Sequence, residues 1–159
     1  MKLRIGSSYD VHRLDKGEYI LLGGVKIPCE FSTVAHSDGD VIYHALAESI
    51  LGGLALGDLG TYFPPNSTKT KDMNSFEILS FALKEMEKRN FKVNNVDISL
   101  ILQRPKIKTY IPQIREKLAK ELNVDEDCVS VKAGTNEKLD DLGKGLGIGC
   151  FATILLIQE

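Results

Sequence analysis

The sequence predicts an α+β fold, a mixed α/β sandwich in which helices cover one face of a mixed sheet. Three observations lead there. Residues 93–102 alternate, with Val96, Ile98, Leu100 and Leu102 set against Asp97, Ser99 and Ile101, which is the period of a half-buried strand. Other segments repeat apolar residues at helical spacing behind recognisable start signals. The strand at 93–102, a helix opened by Pro112 and a short strand at 128–133 form a β-α-β unit, which makes the two strands parallel with a right-handed crossover. A length of 159 residues predicts one domain, residues 1–159.

Each element has a local reason. Residues 1–12 read as a strand, with Leu3, Ile5, Ser7, Tyr9 and Val11 on one face and Arg4, Ser8, Asp10 and His12 on the other. After a turn-rich link at 14–17, a second apolar run covers 19–27 and is interrupted by Gly23-Gly24, while 28–37 shows no period and reads as a loop. Asp40 is placed to N-cap a helix over 41–51, which Gly52-Gly53 ends. Residues 57–73 are polar and proline-bearing, a loop long enough to act as a lid. Asn74, with Glu77 three residues on, opens a helix carrying Ile78, Leu79, Ala82 and Met86 and running to about Arg89. Pro112 opens the next, with Ile114, Leu118 and Leu122 one turn apart. A glycine-rich turn (Gly143, Gly145, Gly147) leads into a last strand over 148–157.

Composition narrows the function. Hydrophobic residues at 43% and charged residues at 26% exclude a disordered or coiled-coil chain. Twenty basic against 22 acidic side chains, a net charge of −2, argue against nucleic acid or an anionic membrane as the main partner. Cys29, Cys128 and Cys150 are an odd set without C-x-x-C spacing, which excludes a disulfide framework and a four-cysteine zinc site. No apolar run reaches the roughly 18–20 residues of a membrane helix, and Met1 leads straight into a strand with no signal-peptide core. A soluble protein of a reducing compartment is expected, cytoplasmic or, had a transit peptide been removed, of a plastid-type stroma.

Three segments could carry chemistry. Asp10 and His12, two apart on a strand, leave the same face and could share a metal ion, or could simply be a solvated pair at a strand end. His36-Ser37-Asp38-Gly39-Asp40 is followed by His44, with Glu48 one helical turn on. All three histidines of the chain lie in these two segments, and two histidines with one carboxylate is the ligand set of a catalytic zinc with an open fourth position. The third segment, Val131–Lys138, ends a strand in Gly134-Thr135-Asn136, which could turn N–H groups and a hydroxyl toward a phosphate, with Glu137 available to a hard cation; the plain alternative is a flexible turn. Lys106 and Lys108 place positive charge at a strand end or in a solvated loop. Neither a Walker A loop nor a dinucleotide fingerprint is present, and no nucleophilic triad is evident.

Taken in order, Asp10-Val11-His12, Leu22-Gly23-Gly24-Val25, His36-Ser37-Asp38-Gly39-Asp40-Val41, His44-Ala45-Leu46, Leu56-Gly57-Asp58-Leu59-Gly60, Phe63-Pro64, Asn95-Val96-Asp97, Pro105-Lys106, Ile111-Pro112-Gln113 and Glu137-Lys138-Leu139 resemble one family from about residue 3 to 157. That family is 2-C-methyl-D-erythritol 2,4-cyclodiphosphate synthase, of non-mevalonate isoprenoid biosynthesis. The resemblance implies a lyase that cyclises 4-diphosphocytidyl-2-C-methyl-D-erythritol 2-phosphate and releases CMP. It implies Asp10, His12 and His44 as zinc ligands, Glu137 on a second ion (Mg²⁺ or Mn²⁺), and His36 and Thr135 as the catalytic pair beside the reacting phosphates. It further implies that Ser37, Asp58 and Gly60, with Phe63 of the lid, line the methylerythritol phosphate end. Residues 102–108, Leu102, Pro105, Lys106 and Lys108 among them, with Ala133, Gly134 and Thr135, would form the cytidine pocket. Family members are homotrimers whose sheets surround a central axis and whose active sites lie between subunits.

The chain departs from the family pattern in three places, at four positions. Pro65 stands where Asp usually follows Phe-Pro, Asp141 where an apolar residue is common, and Lys144 and Leu146 where an Arg-Glu pair is common. The last change implies weakened binding of an isoprenoid diphosphate at the trimer axis, because Lys144 lacks the bidentate grip of arginine. Two other readings remain open from the residues alone. One is a zinc-dependent hydrolase of a nucleotide diphosphate with Glu48 or Asp38 as base; the other is a non-catalytic, zinc-stabilised trimer that binds phosphate ligands.

Overall fold

Fifteen residues, Lys2–Lys16, form the first strand, β1, and every later element is placed by reference to it. The computed structural model describes residues 1–64 and 71–159. After β1 come β2 (Tyr19–Leu22), β3 (Val25–Pro28), β4 (Phe31–Val34), α1 (Val41–Gly53), α2 (Leu59–Tyr62), α3 (Ser75–Glu87) and β5 (Lys92–Ile101). The chain continues through α4 (Ile111–Leu122), β6 (Val129–Gly134), α5 (Asp140–Gly143) and β7 (Gly147–Gln158). Five strands form one sheet in the order β4-β1-β7-β5-β6, with β5 and β6 parallel and the other pairs antiparallel. The β-α-β crossover expected from the sequence is therefore present.

The hairpin β2–β3 stands apart from the sheet, and its turn is Gly23-Gly24, both at positive φ (57° and 73°) as a two-residue turn of this hand requires. Asp40 ties this turn to α1. Its side chain caps the helix by accepting from the amides of Ile42 and Tyr43, each at 3.2 Å. It also accepts from Gly23 N at 2.9 Å and Gly24 N at 2.7 Å. Burial pushes the Asp40 carboxyl up, against the pull of the Gly24, Gly23 and Tyr43 amides.

The core lies between the helices and one face of the sheet, filled by Ile42, Leu46 and Ile50 of α1, Leu79 of α3, Ile98 and Leu100 of β5, Ile114 and Leu118 of α4, and Ile154 of β7. The approach of α1 to β1 is close because residue 6 is glycine: a Cβ there would lie 1.7 Å from Ser49 O. The opposite face of β1 and β7 carries exposed apolar side chains, Leu3, Ile5, Tyr9, Val11 and Phe151, of which Ile5 is 72% exposed. Tyr9 and Phe151 stack with centroids 4.5 Å apart. Toward β5 and β6 this face turns polar, and Lys132 donates to Asp97 at 2.6 Å.

Three segments differ from expectation. β1 runs through Lys16, not to residue 12, because its end pairs with β4, a strand inside the 28–37 stretch that reads as loop. Four edge residues, three half-buried and one exposed, are too few to show a period. The long loop contains the single turn α2, capped by Asp58. Another turn, α5, opens the glycine-rich segment. No helix among the described residues is long and apolar enough to cross a membrane. Pro65 lies outside the described residues.

Candidate metal centre and active site

Asp10 and His12 leave β1 on the side facing the helices, and α1 crosses above them. His44, the fourth residue of α1, comes down onto the pair because the Gly6–Ser49 contact lets helix and strand approach closely. Asp10 Oδ2 lies 3.1 Å from His12 Nε2 and 3.2 Å from His44 Nδ1, and the two ring nitrogens are 3.0 Å apart. The rings meet edge to face. Burial works to raise the Asp10 carboxyl, yet the His12 and His44 rings outweigh it and hold it below the usual carboxylate range. Asp10 Oδ2 is enclosed beside both imidazoles and has no hydrogen-bond partner among the described residues. A cation between the three ligand atoms would complete its partners. Two nitrogens and one oxygen fit zinc, bound at about 2.0–2.2 Å, better than a hard cation. This is the only group of three or more candidate ligands among the described residues.

The far nitrogen of His44 is also held. Nε2 is 2.9 Å from Ser75 Oγ and 3.1 Å from Ser37 Oγ. Ser75 Oγ donates to Asp38 Oδ1, and Ser75 N donates to Asp38 Oδ2 at 3.0 Å. Sequence reasoning missed Ser75. Its only local signal is its place directly after the Asn74 cap, and the contact with His44 spans 31 residues.

Cys150 pairs with Asp10 in the β1–β7 register and is fully buried. Burial, then the charges of Asp40 and Asp10, push its thiol up, so it stays protonated beside the centre.

The residues expected around the cytidine gather in one cleft of about 480 Å³. Leu102, Pro105, Lys106, Lys108, Ala133, Gly134 and Thr135 line it, joined by Gln103 and Ile107 of the same 102–108 stretch and by Ile111, whose place in the pocket the sequence reading did not assign. An apolar floor with a few polar groups suits a nucleoside. The register runs Asp10–Cys150–Leu100–Ala133 across four strands, so three strand spacings, roughly 14 Å, separate the metal trio from this cleft within one chain.

The remaining residues are dispersed. His36 is exposed in the loop before α1, its carbonyl accepting from Asp72 N at 2.9 Å. Asp58 caps α2 and accepts from Thr61 N at 3.1 Å and Thr61 Oγ1 at 2.9 Å. Gly60 is exposed within α2, and Phe63 packs edge-on against Phe81 at 5.3 Å. Glu137 is exposed at φ 51° beyond the cleft, its amide donating to Thr135 Oγ1 at 3.3 Å. Lys144 lies outside the cleft and faces Asp141 at 3.7 Å, so two of the departures from the family pattern meet each other.

Comparison with known proteins accords with this geometry. Residues 3–157 match the YgbB family. A relative from Clostridium perfringens is 45% identical over 156 residues, covering 98% of this chain and 100% of that protein. One from Brachyspira hyodysenteriae is 44% identical over 154 residues, covering 97% and 98%. Both are named 2-C-methyl-D-erythritol 2,4-cyclodiphosphate synthase. Among solved structures, the CDP complex of IspF from Plasmodium falciparum has a TM-score of 0.86 at 42% identity, over 99% of this chain and 97% of that one. The bifunctional IspDF of Campylobacter jejuni has a TM-score of 0.92 at 35% identity over 98% of this chain, which spans 42% of that protein. The match runs almost end to end, and the chain therefore belongs to the YgbB family, that of the 2-C-methyl-D-erythritol 2,4-cyclodiphosphate synthases.

Proposed function

We propose that this chain, acting as one domain, converts 4-diphosphocytidyl-2-C-methyl-D-erythritol 2-phosphate to 2-C-methyl-D-erythritol 2,4-cyclodiphosphate and releases CMP. The observation that carries the reading is the enclosed Asp10 Oδ2 between two imidazole nitrogens, in a chain whose cleft suits a nucleoside. The substrate is its own nucleophile: its 2-phosphate attacks the β-phosphorus, the bond to the cytidylate oxygen breaks, and CMP leaves. A phosphate is already anionic near neutrality, so no general base is needed. The difficulty is to fold a highly charged chain back on itself.

Dications at the trio (zinc) and at Glu137 (Mg²⁺ or Mn²⁺) would supply charge neutralisation and Lewis acidity to the phosphates. The protein's own share is binding and alignment. The cleft receives the cytosine and ribose, with Lys106 and Lys108 adding positive charge at its rim. Thr135 and His36 serve as donors to phosphate oxygens, and Ser37, Asp58, Gly60 and Phe63 hold the methylerythritol end. Holding the two phosphates in line is worth up to about 7–11 kcal/mol. Glu137 is a single exposed carboxylate, which suits an ion completed by substrate phosphates.

A homotrimer completes the site. Support comes from the exposed apolar face of β1 and β7, and from the roughly 14 Å between trio and cleft, which leaves room for a neighbouring subunit to bring its cleft to this trio. The hydrolase reading has less support: both Asp38 oxygens are engaged by Ser75, and Glu48 bonds the Leu59 amide. The test is incubation with substrate in oxygen-18 water, following CMP. Cyclisation yields CMP and a product free of solvent oxygen; labelled product would establish hydrolysis instead.

A further inference from the structure

The geometry points to Ser75, held by Asp38, as a positioning residue that fixes which nitrogen of His44 carries the proton and so keeps Nδ1 free to bind the metal. This rests on the reading of Asp10, His12 and His44 as the metal site. Ser75 Oγ has one proton, and Asp38 Oδ1 accepts it. An ionised carboxylate is acceptor-only, so it cannot return a donor to the hydroxyl. At 2.9 Å from His44 Nε2, Ser75 Oγ must then accept, which places the imidazole proton on Nε2. Ser37 Oγ lies 3.1 Å from the same nitrogen and 3.2 Å from Ser75 Oγ, so with its own proton turned to Ser75 Oγ it offers the imidazole proton a second acceptor. Nδ1, on the opposite side of the ring, is left with its lone pair directed at Asp10 Oδ2 and His12 Nε2. A metal-ligating histidine whose other N–H is engaged binds with a fixed tautomer and a fixed ring plane.

The holder is built for the purpose. Ser75 is fully buried at the first position of α3. Asp38 grips it twice, through hydroxyl and amide, and is itself fixed by the Asp40 amide at 3.2 Å. Two backbone bonds, Asp38 N to Met73 O at 3.2 Å and Asp72 N to His36 O at 2.9 Å, stitch the approach to α3 against the segment leading into α1. Asp38 therefore has a role other than catalytic base, and α3 contributes to a centre whose ligands come only from β1 and α1.

The experiment has two arms. Nitrogen-15 NMR of metal-free protein at about pH 8.5, where imidazoles are neutral, reads the His44 tautomer with no metal present. Chelator competition then gives the zinc dissociation constant of wild type, Ser75→Ala and Asp38→Asn. The inference expects the His44 proton on Nε2 in wild type and zinc binding weakened about 10–100-fold in both variants. In Asp38→Asn a single amide oxygen must serve three donors, and the Ser75 hydroxyl is released toward His44. Excess zinc should restore turnover of Ser75→Ala with KM unchanged, which a loss of packing alone would not do. A wild-type His44 protonated on Nδ1, or unchanged zinc affinity in Ser75→Ala, overturns the inference. If a variant does not fold, the wild-type tautomer decides. A wild type with the Nε2 proton but no zinc affinity overturns the metal reading beneath it.

Discussion

Gly6 of β1 lies directly beneath Ser49 of α1, so close that a methyl group at residue 6 would sit 1.7 Å from the Ser49 carbonyl oxygen and 2.8 Å from Gly53 N. Both obstacles are backbone, which cannot rotate away. Gly6→Ala should lift α1 off the sheet, cost about 1–3 kcal/mol in denaturant unfolding, and weaken zinc binding, because His44 rides on that helix. Gly52→Ala is the control: nothing lies within 4 Å of its added Cβ, and a gain of about 0.4–1 kcal/mol is expected. Equal stability of the two variants would dissociate the close approach from the metal centre.

The metal ligands and Glu137 should separate in their effects. Asp10→Asn, His12→Ala and His44→Ala should each abolish tight zinc binding and nearly all CMP release while far-UV circular dichroism stays native. Glu137→Gln should keep its zinc, by elemental analysis, yet lose most turnover and most of the response to added Mg²⁺ or Mn²⁺. Zinc loss in Glu137→Gln would refute the division of the two ions.

Asp40 joins two elements through four amide bonds. Asp40→Ala should cost about 2–4 kcal/mol, combining a lost helix cap with amides of a buried turn left without acceptors. Asp40→Asn should cost less, since one oxygen remains. Thermal unfolding of both variants checks the order, and a harmless Asp40→Ala would mean that water replaces the carboxylate.

Ile5→Asp tests assembly. The side chain is 72% exposed in the single chain, so a charge there costs the isolated fold little. Sedimentation should change from trimer to monomer, with zinc retained and CMP release lost. A trimeric, active Ile5→Asp would remove this face from the interface.

The Asp97–Lys132 pair predicts a small pH effect. The hydrogen bond from Lys132, aided by Ser130, holds the Asp97 carboxyl below its usual range. Its stabilisation is therefore full above the unfolded value of about 3.9 and fades as pH falls through the lower folded value. Both side chains are about half exposed, 47% and 58%, so the contribution is at most about 1 kcal/mol and salt-sensitive. Unfolding of wild type and Asp97→Asn should differ slightly near neutrality and converge below about pH 3.

Long-period features were legible in the chain. The alternation at 93–102, the Asp40 and Asn74 caps and the Pro112 start all correspond to observed elements. The residues alone point to a site of two histidines and one carboxylate; the choice of Asp10, His12 and His44 comes from the family resemblance, and the structure brings those three together. What the sequence hid depends on partners far along the chain. β4 exists because β1 outruns its other neighbour, and Ser75 matters only once α3 is folded against the loop before α1. The alternation of β1 was readable but its sense was not. Its more apolar face points away from its own helices, because Gly6, Ser8 and Asp10 occupy the covered side.

The protonated, buried thiol of Cys150 bears on how the centre endures oxidants. Zinc sites built on thiolates lose their metal when peroxide converts sulfur to sulfenic acid or disulfide. Here the candidate donors are imidazole and carboxylate, and Cys150, paired with Asp10 across β1 and β7, is held as a neutral, buried thiol. Such a centre has no oxidisable link between protein and metal, so cyclisation activity should persist at peroxide levels that strip thiolate-bound zinc.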